Sequence, residues 1–155
     1  MSEQTIQEGI QTTIRALTAF ASADVVINDW DLLDQSTANA PYVIIENSPE
    51  PIVTQQTVSG NFAWSIPVSL FERFVDWPTT LNGFRTRRQA IFDAYNAVGT
   101  ARAAGGIEAV DIHTIRVGGP IEYLYDPYLR DEDIPDALPM FVTQQLIFEV
   151  DEGWG

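Results

Sequence analysis

The sequence predicts an α+β domain in which a mostly antiparallel sheet of about four to six strands packs with two main helices. Three observations predict it. Residues 5–21 and 78–104 repeat apolar side chains at spacings of three and four. Residues 61–74 and 140–150 instead alternate, with large apolar residues on every second position. Glycine and proline punctuate the chain between these windows, with no internal repeat and no linker, so the 155 residues read as a single domain.

The elements follow in order. Ile6, Ile10, Ile14, Leu17 and Ala21 share one face of the first helix, and Thr5 and Glu8 stand in capping-box register. Residues 25–30 and 42–46 are β-rich runs, the second stopped by Asn47, Ser48, Pro49 and Pro51. Residues 51–60 are expected to form a long loop. In the strand at 61–74, Pro67 cannot donate to a ladder, which predicts a bulge or a sheet edge. Asp76 and Pro78 suit the start of the second helix, whose apolar stripe is Leu81, Phe84, Arg88, Ile91, Tyr95 and Val98. Residues 107–117 and 121–125 are expected as strands joined by a Gly118-Gly119-Pro120 hairpin turn. An acidic, proline-rich loop at 126–139 precedes the closing strand. The expected core is Ile10, Ile14, Leu17, Ile44, Trp64, Ile66, Ile91, Tyr95, Leu146 and Phe148. Trp30 and Trp77 are further core candidates.

Charge narrows the function. The formal charge is −14, and all eight basic residues are arginine. Residues 1–50 carry a net −7, residues 51–105 a net +2 and residues 106–155 a net −9. Such a surface repels DNA phosphates and anionic lipid alike. No apolar run approaches the ~20 residues that span a bilayer, and the N-terminus lacks a signal-peptide pattern. A soluble protein made in the cytoplasm is the expectation. With no cysteine, disulfides, thiolate zinc sites and Cys nucleophiles are all excluded.

Nothing in the sequence forms a catalytic set, and no cofactor or metal site is expected. His113 has no second histidine beside it. Asp29 and Asp31 form one acidic pair, and Asp131, Glu132 and Asp133 form a cluster without EF-hand spacing. Arg85, Arg87 and Arg88 are the only basic cluster; they are either solvated or paired with acidic loops of a neighbouring copy. Trp154 stands apart as a candidate for docking on a partner. The candidate interface is therefore Arg85, Arg87, Arg88, Asp131, Glu132, Asp133 and Trp154.

The chain also resembles a family. The segments Ala40-Pro41-Tyr42-Val43-Ile44-Ile45, Trp64-Ser65-Ile66-Pro67-Val68-Ser69-Leu70-Phe71 and the helix from Arg87 to Val98 are similar to those of the tail-terminator or tail-completion proteins of long-tailed bacteriophages. The resemblance covers almost the whole chain on short motifs. It implies a structural virion protein, with no catalytic residues, that forms a ring, commonly of six. Such a ring ends tail-tube polymerisation at the head-proximal end and joins tail to head. The implied partners are further copies of the chain, the major tail tube protein and a head–tail connector or head-closure protein. Genomic DNA would pass through without specific binding, and no membrane is involved. The 126–139 loop is longer than the family pattern, which leaves a neck or head-closure subunit open. An acidic adaptor or inhibitor that binds a basic partner is the alternative from another class, and a hydrolase acting through carboxylates is a third.

Overall fold

The computed structural model describes residues 3–20, 24–29, 42–47, 52–55, 61–96, 110–125, 130, 132 and 137–152. Within them the order is α1 (Glu3–Arg15), β1 (Val25–Ile27), β2 (Tyr42–Ile45), β3 (Ile52–Gln55), β4 (Asn61–Arg73), α2 (Trp77–Asn96), β5 (Val110–Val117), β6 (Glu122–Leu124) and β7 (Phe141–Glu152). The fold is α+β, as predicted. All seven strands join one sheet in the order β1-β2-β4-β7-β5, with β3 also on β4 and β6 also on β7. Only the β1–β2 pair is parallel. The long strands β4 and β7 pair without a register shift from Phe62–Glu152 to Arg73–Phe141 and form the middle of the sheet.

Both helices pack on one face. Ile6, Ile10 and Ile14 of α1 and Phe84 and Ile91 of α2 are buried with Val43, Ile45, Ile66, Val68, Leu146 and Phe148. Seven of the ten expected core residues are fully buried, while Leu17, Trp64 and Tyr95 pack partly buried against that core. Ile44 belongs to a second cluster on the opposite face with Phe71 and Phe141, because alternation along β2 turns it away from the helices.

Several boundaries differ from expectation for physical reasons. The first helix begins at Glu3, so Thr5 lies inside it, and Glu8 accepts a hydrogen bond from Gln4 rather than closing a capping box. It stops at Arg15, six residues early. Leu17 and Phe20 then donate to carbonyls three residues back, a tightening that turns the chain and buries Phe20. Strand β1 ends at Ile27 because Asn28 takes a left-handed conformation, φ 55°, which asparagine tolerates. Residues 52–55 are a strand where a loop is expected; the β-branched run Ile52-Val53-Thr54 outweighs the flanking prolines. In the 126–139 loop only residues 130, 132 and 137–139 are described, none of them in a strand. Val98 and the expected helical residues 97–104 lie outside the described residues, as do Ala21 and Trp30.

Pro67 sits neither in a bulge nor at the edge of the whole sheet. It pairs in register with Ile147 inside the interior strand β4. Its missing N–H faces the other side, where pairing with β2 gives out. There Glu46 N–H donates to the Pro67 carbonyl at 2.8 Å, and the return bond to the Glu46 carbonyl is one that proline cannot make. Gln7 of α1 supplies it: Nε2 donates to the Glu46 carbonyl at 2.9 Å and to Asn47 Oδ1 at 2.9 Å. A helix side chain thus stands in for a strand amide. Replacing the buried Gln7 with Met should cost about 1–3 kcal/mol, the penalty of leaving buried polar groups unpaired. Chemical denaturation would measure it, with Gln4→Met on the exposed face as the control.

Candidate interaction surface

The clearest surface feature is an apolar corner where β4 hands over to α2. Phe74 N–H donates to the Met140 carbonyl at 2.8 Å, and Met140 N–H donates to the Leu124 carbonyl at 2.7 Å. These bonds hold the end of β4, the approach to β7 and the end of β6 together. The turn into α2 is equally fixed. Asp76 Oδ1 accepts from the Thr79 amide at 2.8 Å, and the Thr80 hydroxyl accepts from the amides of Val75 and Asp76. On this frame Trp77 packs edge-on against Phe74 at 4.8 Å and against Tyr123 at 5.2 Å. Val75 is 70% exposed, Leu138 63%, and Trp77 and Met140 43% each. Trp77 is therefore not a core residue. Exposed Trp, Tyr and Met on a rigid frame are the side chains enriched in protein–protein interfaces. The sequence carries the signal in Phe74-Val75-Asp76-Trp77 and Leu138-Pro139-Met140, apolar residues placed in breaks between elements.

The arginine cluster is split by the fold. Arg87 pairs with Glu72 of β4, and Gly83 makes room for the pair, since a Cβ there would lie 2.8 Å from Arg87 Nη1 and 2.9 Å from Glu72 Oε1. Burial pushes the Glu72 carboxyl above its ordinary range, and Arg87 offsets this only in part. Its Oε2 is buried without a partner among the described residues. Arg88 Nη1 donates to Gln144 Oε1 at 2.6 Å, and Gln144 Nε2 donates to the Gly119 carbonyl at 2.9 Å. Arg85 alone of the three is exposed and has no partner among the described residues. Of the acidic candidates, Glu132 is exposed, 3.7 Å from Arg130. Asp131, Asp133 and Trp154 lie outside the described residues.

The Gly118-Gly119-Pro120 segment is not a hairpin turn. Strands β5 and β6 both run antiparallel to β7 and lie end to end along it, so the segment is a break within one edge. Gly118 N–H still donates to the Gln145 carbonyl at 2.7 Å, and Gly119-Pro120 swings out of the ladder. On the sheet face away from the helices this break rims a depression of about 340 Å³, bordered by Ser69, Phe71, Gly118, Glu122, Thr143 and Gln145. Beside it Glu46 Oε2 accepts from the Ser69 hydroxyl and from Gln145 Nε2, each at 3.1 Å.

The remaining titratable candidates are dispersed. His113 falls at the register shift between Ile112 and Thr114 on β5, a β-bulge. Asp29 is exposed, and Asp31 lies outside the described residues. Among the described residues no three His, Cys, Asp or Glu side chains gather into a metal-binding group, and no helix is long and apolar enough to cross a membrane. No protein-family model matches the sequence, and no significant match is found among curated proteins.

Proposed function

We propose that the chain is a structural subunit that assembles into a ring at the head-proximal end of a long-tailed phage tail, where it ends tube polymerisation and joins tail to head. The observation that carries this reading is the element order: a helix, three short strands, a long strand, the main helix, then further strands. Apart from the added strand β3, it places the three segments that resemble tail-terminator proteins on β2, β4 and α2. The apolar corner supports the assembly part of the reading, since it offers interface chemistry on a chain that otherwise repels its copies with a charge of −14. Scale is compatible as well. A compact chain of this length has a radius of gyration of about 15 Å, hence a diameter of roughly 40 Å, and six touching spheres leave a hole about one sphere wide. A duplex fits such a hole, and an acidic wall has no Lys or Arg to displace its counterions.

Negative-stain imaging of the purified protein, alone and with tail tubes, tests the reading. Closed rings, or caps on tube ends, are expected; a protein that stays monomeric and leaves tube ends bare would refute it. Val75→Asp with Trp77→Ala should weaken assembly by at least about fivefold, the effect of losing an aromatic anchor worth more than about 1 kcal/mol. Sedimentation would measure it, with an unchanged circular dichroism spectrum as the control for folding.

A further inference from the structure

The charges of the described residues leave one cation unspent. Arg15 is bonded to the Val25 carbonyl, Arg73 lies over the Phe141 ring, and Arg87 and Arg88 hold Glu72 and Gln144. Arg116 holds Glu149, and Arg130 stands beside Glu132. Arg85 holds nothing among the described residues. It projects from the outer face of α2 beside Gln89 and Asp93, which are bonded to each other at 2.9 Å. In a chain with 22 acidic residues and no lysine, an exposed arginine without a partner among the described residues is conspicuous.

The opposite face of the sheet carries a complement to it. The depression beside the Gly118 break is concave and rich in acceptors. Glu122 borders it with an exposed carboxylate, and Thr143 and Ser69 contribute hydroxyls. Gln145 gives its Nε2 to Glu46 and keeps its Oε1 beside Gly118, where the absence of a side chain leaves that oxygen uncovered; a Cβ there would come within 3.1 Å of it. A guanidinium carries five donors in a planar fork and no acceptor, which suits a pocket of carboxylate and amide oxygens. Arg85 is not among the residues that line the depression of its own chain.

We infer that Arg85 of one copy inserts into the depression bordered by Glu122 and Gln145 of the next. This deepens the ring reading and rests on it. The contact is heterologous, helix layer against sheet face, so each copy offers one Arg85 and one depression until a ring closes. It narrows the expected arginine cluster to a single residue and gives it a pocket on the sheet as its acceptor.

A charge swap tests it. Arg85→Glu and Glu122→Arg, each alone, should weaken assembly about tenfold, and the double variant should restore most of it, as expected for a partly desolvated interfacial pair. Sedimentation velocity across a concentration series reads the effect, and thermal melting checks each variant, since exposed substitutions usually shift stability by less than about 0.5 kcal/mol. Arg85→Gln provides a milder second variant. Assembly that is unchanged in both single variants overturns the inference while leaving the ring standing. Weakening without restoration in the double variant also overturns it, because the two residues would then not be partners. A folded wild type that forms no oligomer, alone or with tail tubes, overturns both the inference and the ring.

Discussion

Phe148→Ala is expected to destabilise the protein by about 3–5 kcal/mol, the range for deleting a buried aromatic ring. Phe148 is fully buried on β7, beneath both helices. Tyr95 of α2 meets it edge-on, ring centroids 5.1 Å apart. No backbone shift fills the space easily, because β7 is paired on both sides and cannot slide. At roughly 2–4 °C per kcal/mol for a chain of this size, the melting temperature should fall by about 10 °C or more. A second signal separates lost packing from wholesale unfolding. Burial pushes the Tyr95 phenol up to about 12, ahead of a smaller opposing effect from Thr13. Opening the site to water should bring it back toward 10, visible by ultraviolet titration of the folded variant. A melting temperature within a few degrees of wild type would mean that the helices do not pack as described.

Arg87→Met should cost about 2–3 kcal/mol near neutral pH. Breaking a fully buried pair costs about 3–5 kcal/mol; the figure here is smaller because Arg87 is itself 30% exposed. The loss should depend on pH with a definite sign. Glu72 titrates above its ordinary value in the folded protein because it is buried, and without Arg87 it should rise further. A carboxyl raised in the folded state stabilises the fold as it takes up its proton. The variant should therefore regain stability as pH falls through the folded value, reaching the full benefit below the unfolded value near 4.5. Glu72→Leu combined with Arg87→Met removes both charges and should recover most of the wild-type stability at neutral pH. Urea denaturation of the single and double variants at several pH values decides it; a loss in the single variant that does not change with pH would place the cost in packing rather than charge.

Periodic segments were the legible part of the fold. The alternation in β4 and β7 and the stripe Leu81-Phe84-Arg88-Ile91-Tyr95 on α2 each repeat often enough to outvote local exceptions. Short elements were less legible. Strand β3 is four residues between prolines and a glycine, and its partner is β4, so its state is decided by pairing rather than by its own sequence. The Gly118 break looked like a hairpin because glycine and proline mark where a chain bends but not which strand it then joins. The arginine cluster divides for a related reason. Arg85, Arg87 and Arg88 are close in sequence, yet helix geometry points them to different surroundings: Glu72 comes from the preceding strand β4 and Gln144 from β7, 56 residues beyond Arg88. Trp77 misled in the opposite direction, since an apolar residue is ordinarily assigned to the core unless its place in a break between elements is weighed.

The central pairing also has a consequence in time. The partners of β4 on its β7 side lie about 70 to 90 residues further along the chain, among the longest separations the sheet contains. At a synthesis rate of roughly 5–20 residues per second, β4 waits several seconds with one side bare. During that interval α1, β1, β2 and α2 can gather on the nascent sheet, but its middle is missing. The last strand to be made is the one that closes the centre, so folding on the ribosome should arrive late and in one step. A stalled chain lacking β7 should be fully sensitive to protease, whereas one that includes it should become resistant abruptly.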